Sequence, residues 1–217
     1  MRRKYRKLSF IYRWLKPFEK HRLAKVAELI GENNLNVLEI GCRDGQFLYE
    51  NKHRWKSIVG VDIEPKYLEE ARKRDYGRSA KFIGDDYGRK KIPFRSSTFD
   101  LVVAIATLQY VYDLDLLFSE VYRVLKKGGR FIFEVPNVAV FWRRIQFLFG
   151  RLPPSSQIAY GWDAGVIHYF TYYDLCQFAE NKGFEIEEVS CSGIFDSWRE
   201  RWVSFLGADL IFICRKL

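Results

Sequence analysis

Two short stretches hold the residue types most able to do chemistry in this chain. The first is Val37 to Leu48, Val-Leu-Glu-Ile-Gly-Cys-Arg-Asp-Gly-Gln-Phe-Leu. An apolar run there carries Glu39, and Gly41 and Gly45 follow where a buried strand has to turn into a helix. Glycines let backbone N–H groups come close to a ligand, and an acid at a strand end accepts a ribose hydroxyl or an ammonium group. The second is Val59-Gly60-Val61-Asp62-Ile63, whose Asp62 stands 17 residues beyond Gly45. An acid there takes both hydroxyls of a ribose lying across the first loop. A dinucleotide loop sets glycines as G-x-G-x-x-G, which falls on Gly41, Arg43 and Gln46, and only the first fits. An acid followed by alternating glycines fits Glu39, Gly41 and Gly45 and departs only at Arg43.

Such residues need a sheet edge to hold them, and the chain supplies its strands in a regular order. Strands are expected at Asn36 to Ile40, Ser57 to Val61, Ala80 to Ile83, Phe99 to Ala104 and Arg130 to Val135. Helices are expected between them at Asp44 to Lys52, Pro65 to Arg74 and Leu114 to Leu125, the last ended by Gly128-Gly129. Alternation with short connections argues for an α/β, Rossmann-like, doubly wound parallel sheet. Residues 136–171 break the rhythm and read as an acceptor-site insertion, with a helical face made of Phe141, Ile145, Leu148 and Phe149. A helix at Tyr172 to Lys182 then leads to strands at Glu185 to Cys191 and Asp209 to Arg215, an antiparallel hairpin at the sheet edge.

The 217 residues suit one domain. Ten Lys or Arg and one acid, Glu19, fall within residues 1–25, while residues 26–217 carry 26 of each charge. The net charge of +9 therefore describes a basic N-terminal arm, with two helices meeting near Pro17, and not a nucleic-acid-binding face of the domain. Cys42, Cys176, Cys191 and Cys214 form no metal-binding spacing and read as reduced thiols of a cytoplasmic protein. No stretch reaches the roughly 18 apolar residues of a membrane span.

The first loop resembles motif I of the class I S-adenosylmethionine-dependent methyltransferases. Gly84-Asp85-Asp86, then Ile92-Pro93-Phe94 and Thr98-Phe99-Asp100, resembles that family's run of Gly-Asp, Leu-Pro-Phe and Ser-Phe-Asp. Phe99 to Val111 and Glu120 to Phe133 are similar to its fourth strand, following loop, helix and fifth strand. His168-Tyr-Phe-Thr and Lys182-Gly183-Phe184 resemble the tail of the branch that includes ubiquinone- and methionine-biosynthesis-like members. The resemblance implies a seven-stranded, mostly parallel sheet and S-adenosylmethionine as cofactor, with residues 26–217 as the methyltransferase domain. It implies cofactor contacts at Glu39, Gly41, Cys42, Arg43, Gly45, Asp62 and Ile63. It also implies an adenine-reading role for Asp85, with Asp86 as neighbour or substitute, and places Ile105 at the methionine end.

Arg43 departs from the small residue that the family usually carries. Its guanidinium either points away or grips the cofactor carboxylate. His168 is the candidate base if the acceptor is a hydroxyl, because imidazole titrates near neutrality; the competing role is a hydrogen bond to backbone beneath the insertion. The expected reaction is methyl transfer to oxygen or nitrogen of a small-molecule or lipid-like acceptor, without a metal. The basic arm and the Arg-flanked helix suggest peripheral contact with anionic membrane. A tRNA or rRNA methyltransferase and a non-catalytic scaffold on the same fold are the alternatives, and the neutral body disfavours nucleic acid.

Overall fold

The computed structural model describes residues 19–151, 165–194 and 196–217. In chain order the elements are β1 (Glu19–Lys20), α1 (Arg22–Ile30), β2 (Leu35–Ile40), α2 (Gln46–Glu50), β3 (Trp55–Asp62), α3 (Pro65–Lys73) and β4 (Ala80–Gly84). There follow β5 (Phe99–Ile105), α4 (Leu114–Val124), β6 (Leu125–Pro136), α5 (Phe141–Leu148), α6 (Tyr172–Asn181), β7 (Phe184–Ile194) and β8 (Asp209–Lys216). Short helical turns, Glu200–Trp202 and Val203–Leu206 among them, join β7 to β8.

The strands form one sheet in the order β1-β7-β8-β6-β5-β2-β3-β4. Strands β4, β3, β2, β5 and β6 run parallel, and β8 runs antiparallel to β6 and β7. The anticipated hairpin is thus β7–β8, with the reversed strand inside it. The seven expected strands are present, and the two-residue β1 adds an eighth by pairing with β7. From β2 the chain winds outward to β4, then returns to place β5 on the other side of β2. The switch point between β2 and β5 is where open α/β sheets bind ligands, beyond the carboxyl ends of the strands.

Both faces of the sheet are covered, as continuous apolar strands require. Leu38, Val102, Phe131, Phe133 and Phe212 meet Phe118 and Val121 of α4 and Leu175 and Ala179 of α6. On the other face Val37, Leu101, Ile132 and Ile213 meet Val26 and Ile30 of α1, Phe47 of α2, and Leu68 and Ala71 of α3. The anticipated stop of α4 at Gly128-Gly129 is corrected: the helix ends at Val124 and Leu125 already opens β6. The glycines serve the strand entry, since a Cβ on Gly129 would lie 2.9 Å from the Lys126 carbonyl oxygen. The first of the two helices anticipated to meet near Pro17 lies outside the described residues, whereas α1 ends at Gly31, with φ 67°.

Candidate active site at the sheet switch point

Register across the parallel strands brings the site residues together. Glu39 pairs with Gly60 on one side and Val103 on the other, so the next inward-equivalent positions are Gly41, Asp62 and Ile105. Ile105 in turn pairs with Glu134 of β6. Alternation of side chains puts Asp62, Ile105 and Glu134 in one row on the face that α1 covers, at the carboxyl edge. The loops after β2 and β5 touch there. A Cβ on Gly41 would fall 2.2 Å from Thr107 Oγ1, which is why this position is a glycine.

The glycine loop is built differently from the expectation that its amides are open to a ligand. Gly41 N–H and Cys42 N–H both donate to the Val61 carbonyl, at 2.8 and 2.9 Å, and Gly45 N–H donates to the Cys42 carbonyl at 2.8 Å. Arg43 N–H donates to Asp62 Oδ2 at 2.8 Å. These four amides are satisfied within the protein, so the loop is no phosphate cradle. It is ringed by the acids Glu39, Asp44 and Asp62. Glu39 is buried with Oε2 unpartnered, and burial, reinforced by Asp44 and Asp62, raises its carboxyl well above the usual range. Such a surrounding repels phosphate and favours a cation.

Arg43 occupies the left-handed region, φ 49°, as the glycine it replaces would. Its guanidinium lies over the Tyr67 ring, 5.2 Å from the centroid, so it is turned toward α3. Cys42 packs beneath the loop: its Sγ would be 2.8 Å from a Cβ on Gly60, and burial pushes the thiol pKa up. Cys42 therefore shapes the loop from below, with its N–H already taken. Asp62 Oδ1 accepts the Glu64 N–H at 2.9 Å, which fixes the carboxylate at the strand end. Ile63 beside it is 72 % exposed, a large apolar side chain set at the rim.

The Gly84-Asp85-Asp86 turn continues the rim. Asp85 N–H donates to the Asp62 carbonyl at 3.2 Å. Asp85 Oδ1 accepts from Lys90 Nζ at 2.8 Å and from Asp86 N–H at 2.9 Å, and the Lys90 bond holds the carboxyl below its ordinary value. Asp86 spends Oδ1 on the Gly88 N–H and Oδ2 on Arg89, closing its own turn. The Ile92-Pro93-Phe94 stretch is pinned by Arg123, which donates to the carbonyls of Phe94 at 2.7 Å and Ile92 at 2.8 Å.

On the acceptor side, His168 Nε2 lies 2.8 Å from the Val111 carbonyl, to which it donates, leaving Nδ1 as the basic nitrogen. The Gln109 carbonyl accepts the N–H groups of Ile167 and His168, tying the end of the insertion to the loop after β5. Three contributors escaped the sequence reading: Gln109, Asn137 and Glu134. Asn137 is fully buried and donates to the Gly207 carbonyl at 2.9 Å, rooting the insertion. Glu134 is fully buried with neither oxygen hydrogen-bonded, and burial and nearby Asp209 push it up to about 8 against the pull of Arg22. Its one visible signal is an acid inside the apolar run of β6. Tyr160 and Trp162, aromatic residues within the anticipated insertion, lie outside the described residues. Among the described residues no cluster of His, Cys, Asp and Glu forms a metal site.

Residues 38–133, which span the glycine loop, Asp62, Asp85 and Ile105, match the model of the methyltransferase domain. Over that stretch the chain is similar to S-adenosylmethionine-dependent methyltransferases of class I. Over 103 residues the chain is 36% identical to the sterol 4-C-methyltransferase strm-1 of Caenorhabditis elegans, covering 46% of this chain and 30% of that protein. Over 145 residues it is 30% identical to a ubiquinone/menaquinone biosynthesis C-methyltransferase of Desulfotalea psychrophila, covering 62% of this chain and 58% of the relative. The chain thus spans less than two thirds of either relative. The fold is shared with an S-adenosylmethionine-dependent methyltransferase from Mesorhizobium loti, at TM-score 0.68 and 19% identity, covering 89% of this chain and 97% of that one.

The residues of this site fit S-adenosylmethionine. The buried, unpartnered Glu39 oxygen suits an ammonium group, Asp62 suits a ribose, and the exposed Ile63 offers an adenine an apolar seat. Asp85 keeps Oδ2 free of hydrogen bonds among the described residues, as an acceptor for an amino group. Arg43, turned to Tyr67, leaves the loop's inner side clear.

Proposed function

We propose that this chain transfers a methyl group from S-adenosylmethionine to oxygen or nitrogen of a small, lipid-like acceptor. The observation that carries this reading is the acid-ringed glycine loop at the switch point, with its amides bonded inward. When bound, S-adenosylmethionine supplies a methyl group made electrophilic by a sulfonium. The protein's own task is alignment, since in-line displacement depends chiefly on the placement of acceptor, methyl and sulfur. Asp62 and Asp85 orient the nucleoside, Glu39 balances the ammonium, and Ile105 lines the methionine end beside the acceptor. His168 is the proposed base through Nδ1; replacing it with Ala is expected to lower turnover about tenfold or more and to remove a limb of the pH–rate profile. Unchanged turnover with a lower melting temperature would make it an anchor of the insertion only.

The lipid-like acceptor rests on two supports: the apolar surface beside the site, and two relatives named for a sterol and for ubiquinone/menaquinone biosynthesis. The basic arm, residues 1–25, is proposed to give peripheral contact with anionic membrane. Calorimetry with S-adenosylmethionine tests the core of the reading. One bound molecule per chain is expected, and no heat together with no melting shift would remove it. Tritiated methyl offered with cell extracts should then mark an organic-soluble product. Label confined to protein or nucleic acid would overturn the acceptor class, and label on carbon would overturn the heteroatom.

A further inference from the structure

Among the described residues, helix α5 leaves most of its apolar side uncovered. Phe141, Trp142, Ile145, Leu148 and Phe149 fall within one arc of the helix, and each is exposed, Leu148 by 84 % and Phe149 by 78 %. No residue of α5 is buried. The surface continues across the link between β7 and β8. Phe141 packs on Phe205 at 5.1 Å between centroids, and Phe205 stacks on Trp202 at 4.4 Å. Arg199 lies over Trp142 and Arg144 over Phe205, at 5.4 and 5.3 Å. Trp198 and Trp202 are both more than half exposed. Monomeric soluble proteins rarely leave so many large apolar side chains side by side.

The charges bordering this surface are of one sign. Residues 141–151 hold Arg143, Arg144 and Arg151 with no acid, and residues 198–206 add Arg199 and Arg201 against Glu200. Glu200 is turned inward, accepting from Lys25 Nζ and from Ser190 Oγ. Arg143 and Arg144 donate to the carbonyls of Asn137 and Ala139, so the helix root is fixed to the domain. A second copy would bring five arginines against five, which like-charge repulsion disfavours. Tryptophan, aliphatic side chains and arginine together are the composition that sits at the boundary of headgroups and acyl chains.

We infer that the α5 face, continued by Trp198, Trp202 and Phe205, docks on an anionic phospholipid surface and seats those side chains among the acyl chains. Asn137, three residues beyond Glu134, roots this face at the carboxyl edge of β6, so the docked face opens beside the acceptor end of the site. The inference deepens the lipid-like acceptor proposed above and rests on it, yet it names a surface separate from the basic arm.

The test is sedimentation of the full chain with vesicles of phosphatidylcholine alone and with vesicles in which part of the lipid is phosphatidylglycerol. The expected result is pelleting with the anionic vesicles, quenching of tryptophan fluorescence by brominated acyl chains, and at least about tenfold weaker partitioning for Leu148→Asp with Phe149→Asp. Both positions are exposed, and an unchanged melting curve and calorimetric affinity for S-adenosylmethionine would certify the variant as folded. Failure to pellet, or a variant that pellets and is quenched like the parent, would overturn the inference, the second result assigning docking to the basic arm. Loss of a concentration-dependent dimer in the variant would overturn it in favour of a second copy. Cofactor affinity, measured on the same samples, reports separately on the methyltransferase reading.

Discussion

At position 43 the departure from glycine is a matter of backbone more than of side chain. A residue with a Cβ costs about 1–2 kcal/mol in the left-handed region, and Arg43 adopts φ 49° there. The Tyr67 ring beneath its guanidinium returns about 0.5–1 kcal/mol. Arg43→Gly would relieve the strain, lose that contact and add about 0.5–1 kcal/mol of unfolded-chain entropy. Stability is therefore expected to stay within about 1 kcal/mol, and S-adenosylmethionine affinity within about threefold, by urea titration and calorimetry. A tenfold loss of affinity would put the guanidinium on the cofactor instead. Glu39 and Asp62 were legible in the sequence because an acid ending an apolar run can only face a strand terminus. The direction of the loop amides was not. Glycine spacing reveals where a chain can turn, but three of the four inward hydrogen bonds depend on the neighbouring β3, which spacing does not describe.

Among the elements, the turn into α2 has the least tolerance. Gly45 is its N-cap with φ 70°, and an added Cβ would meet Tyr76 Oη at 2.3 Å and Ala71 Cβ at 3.1 Å. The Tyr76 ring is itself held between Phe82 and Tyr49, so the hydroxyl has little room to withdraw. Gly45→Ala is expected to cost about 2–4 kcal/mol, part backbone strain and part repacking, and to weaken cofactor binding with it. A destabilisation well under about 1 kcal/mol by urea unfolding would mean that the turn adapts. The period of α5 was readable as an apolar face over Phe141, Ile145, Leu148 and Phe149, yet its exposure was not. Periodicity marks the side of a helix that avoids water without telling what covers it. The β7–β8 hairpin was likewise readable from its missing crossover, while the seating of β8 beside β6 is settled by their long antiparallel register.

For the molecule as a whole, stability should carry the mark of a carboxyl that the fold shuts away. Glu134 ordinarily titrates at 4.5; burial first, then Asp209, pushes it up to about 8 in the folded state, with Arg22 of α1 acting in the opposite sense. A raised carboxyl binds its proton more tightly folded than unfolded. Its contribution is therefore fully present below about pH 4.5 and is lost as pH rises through about 8, at up to about 1.4 kcal/mol per pH unit within that window. Other groups titrate too, so the informative quantity is the difference between parent and Glu134→Gln, whose amide keeps the shape and cannot ionise. Urea unfolding across that window should show the variant gaining on the parent steadily as pH rises, with the two curves parallel at lower pH. Parallel curves throughout would mean that Glu134 ionises at its ordinary value, and hence that water reaches it. That outcome would also locate an opening between α1 and the carboxyl edge, because α1 is the helix packed over this face, with Arg22 near Glu134 and Ile30 accepting from Arg130 at the far end of β6.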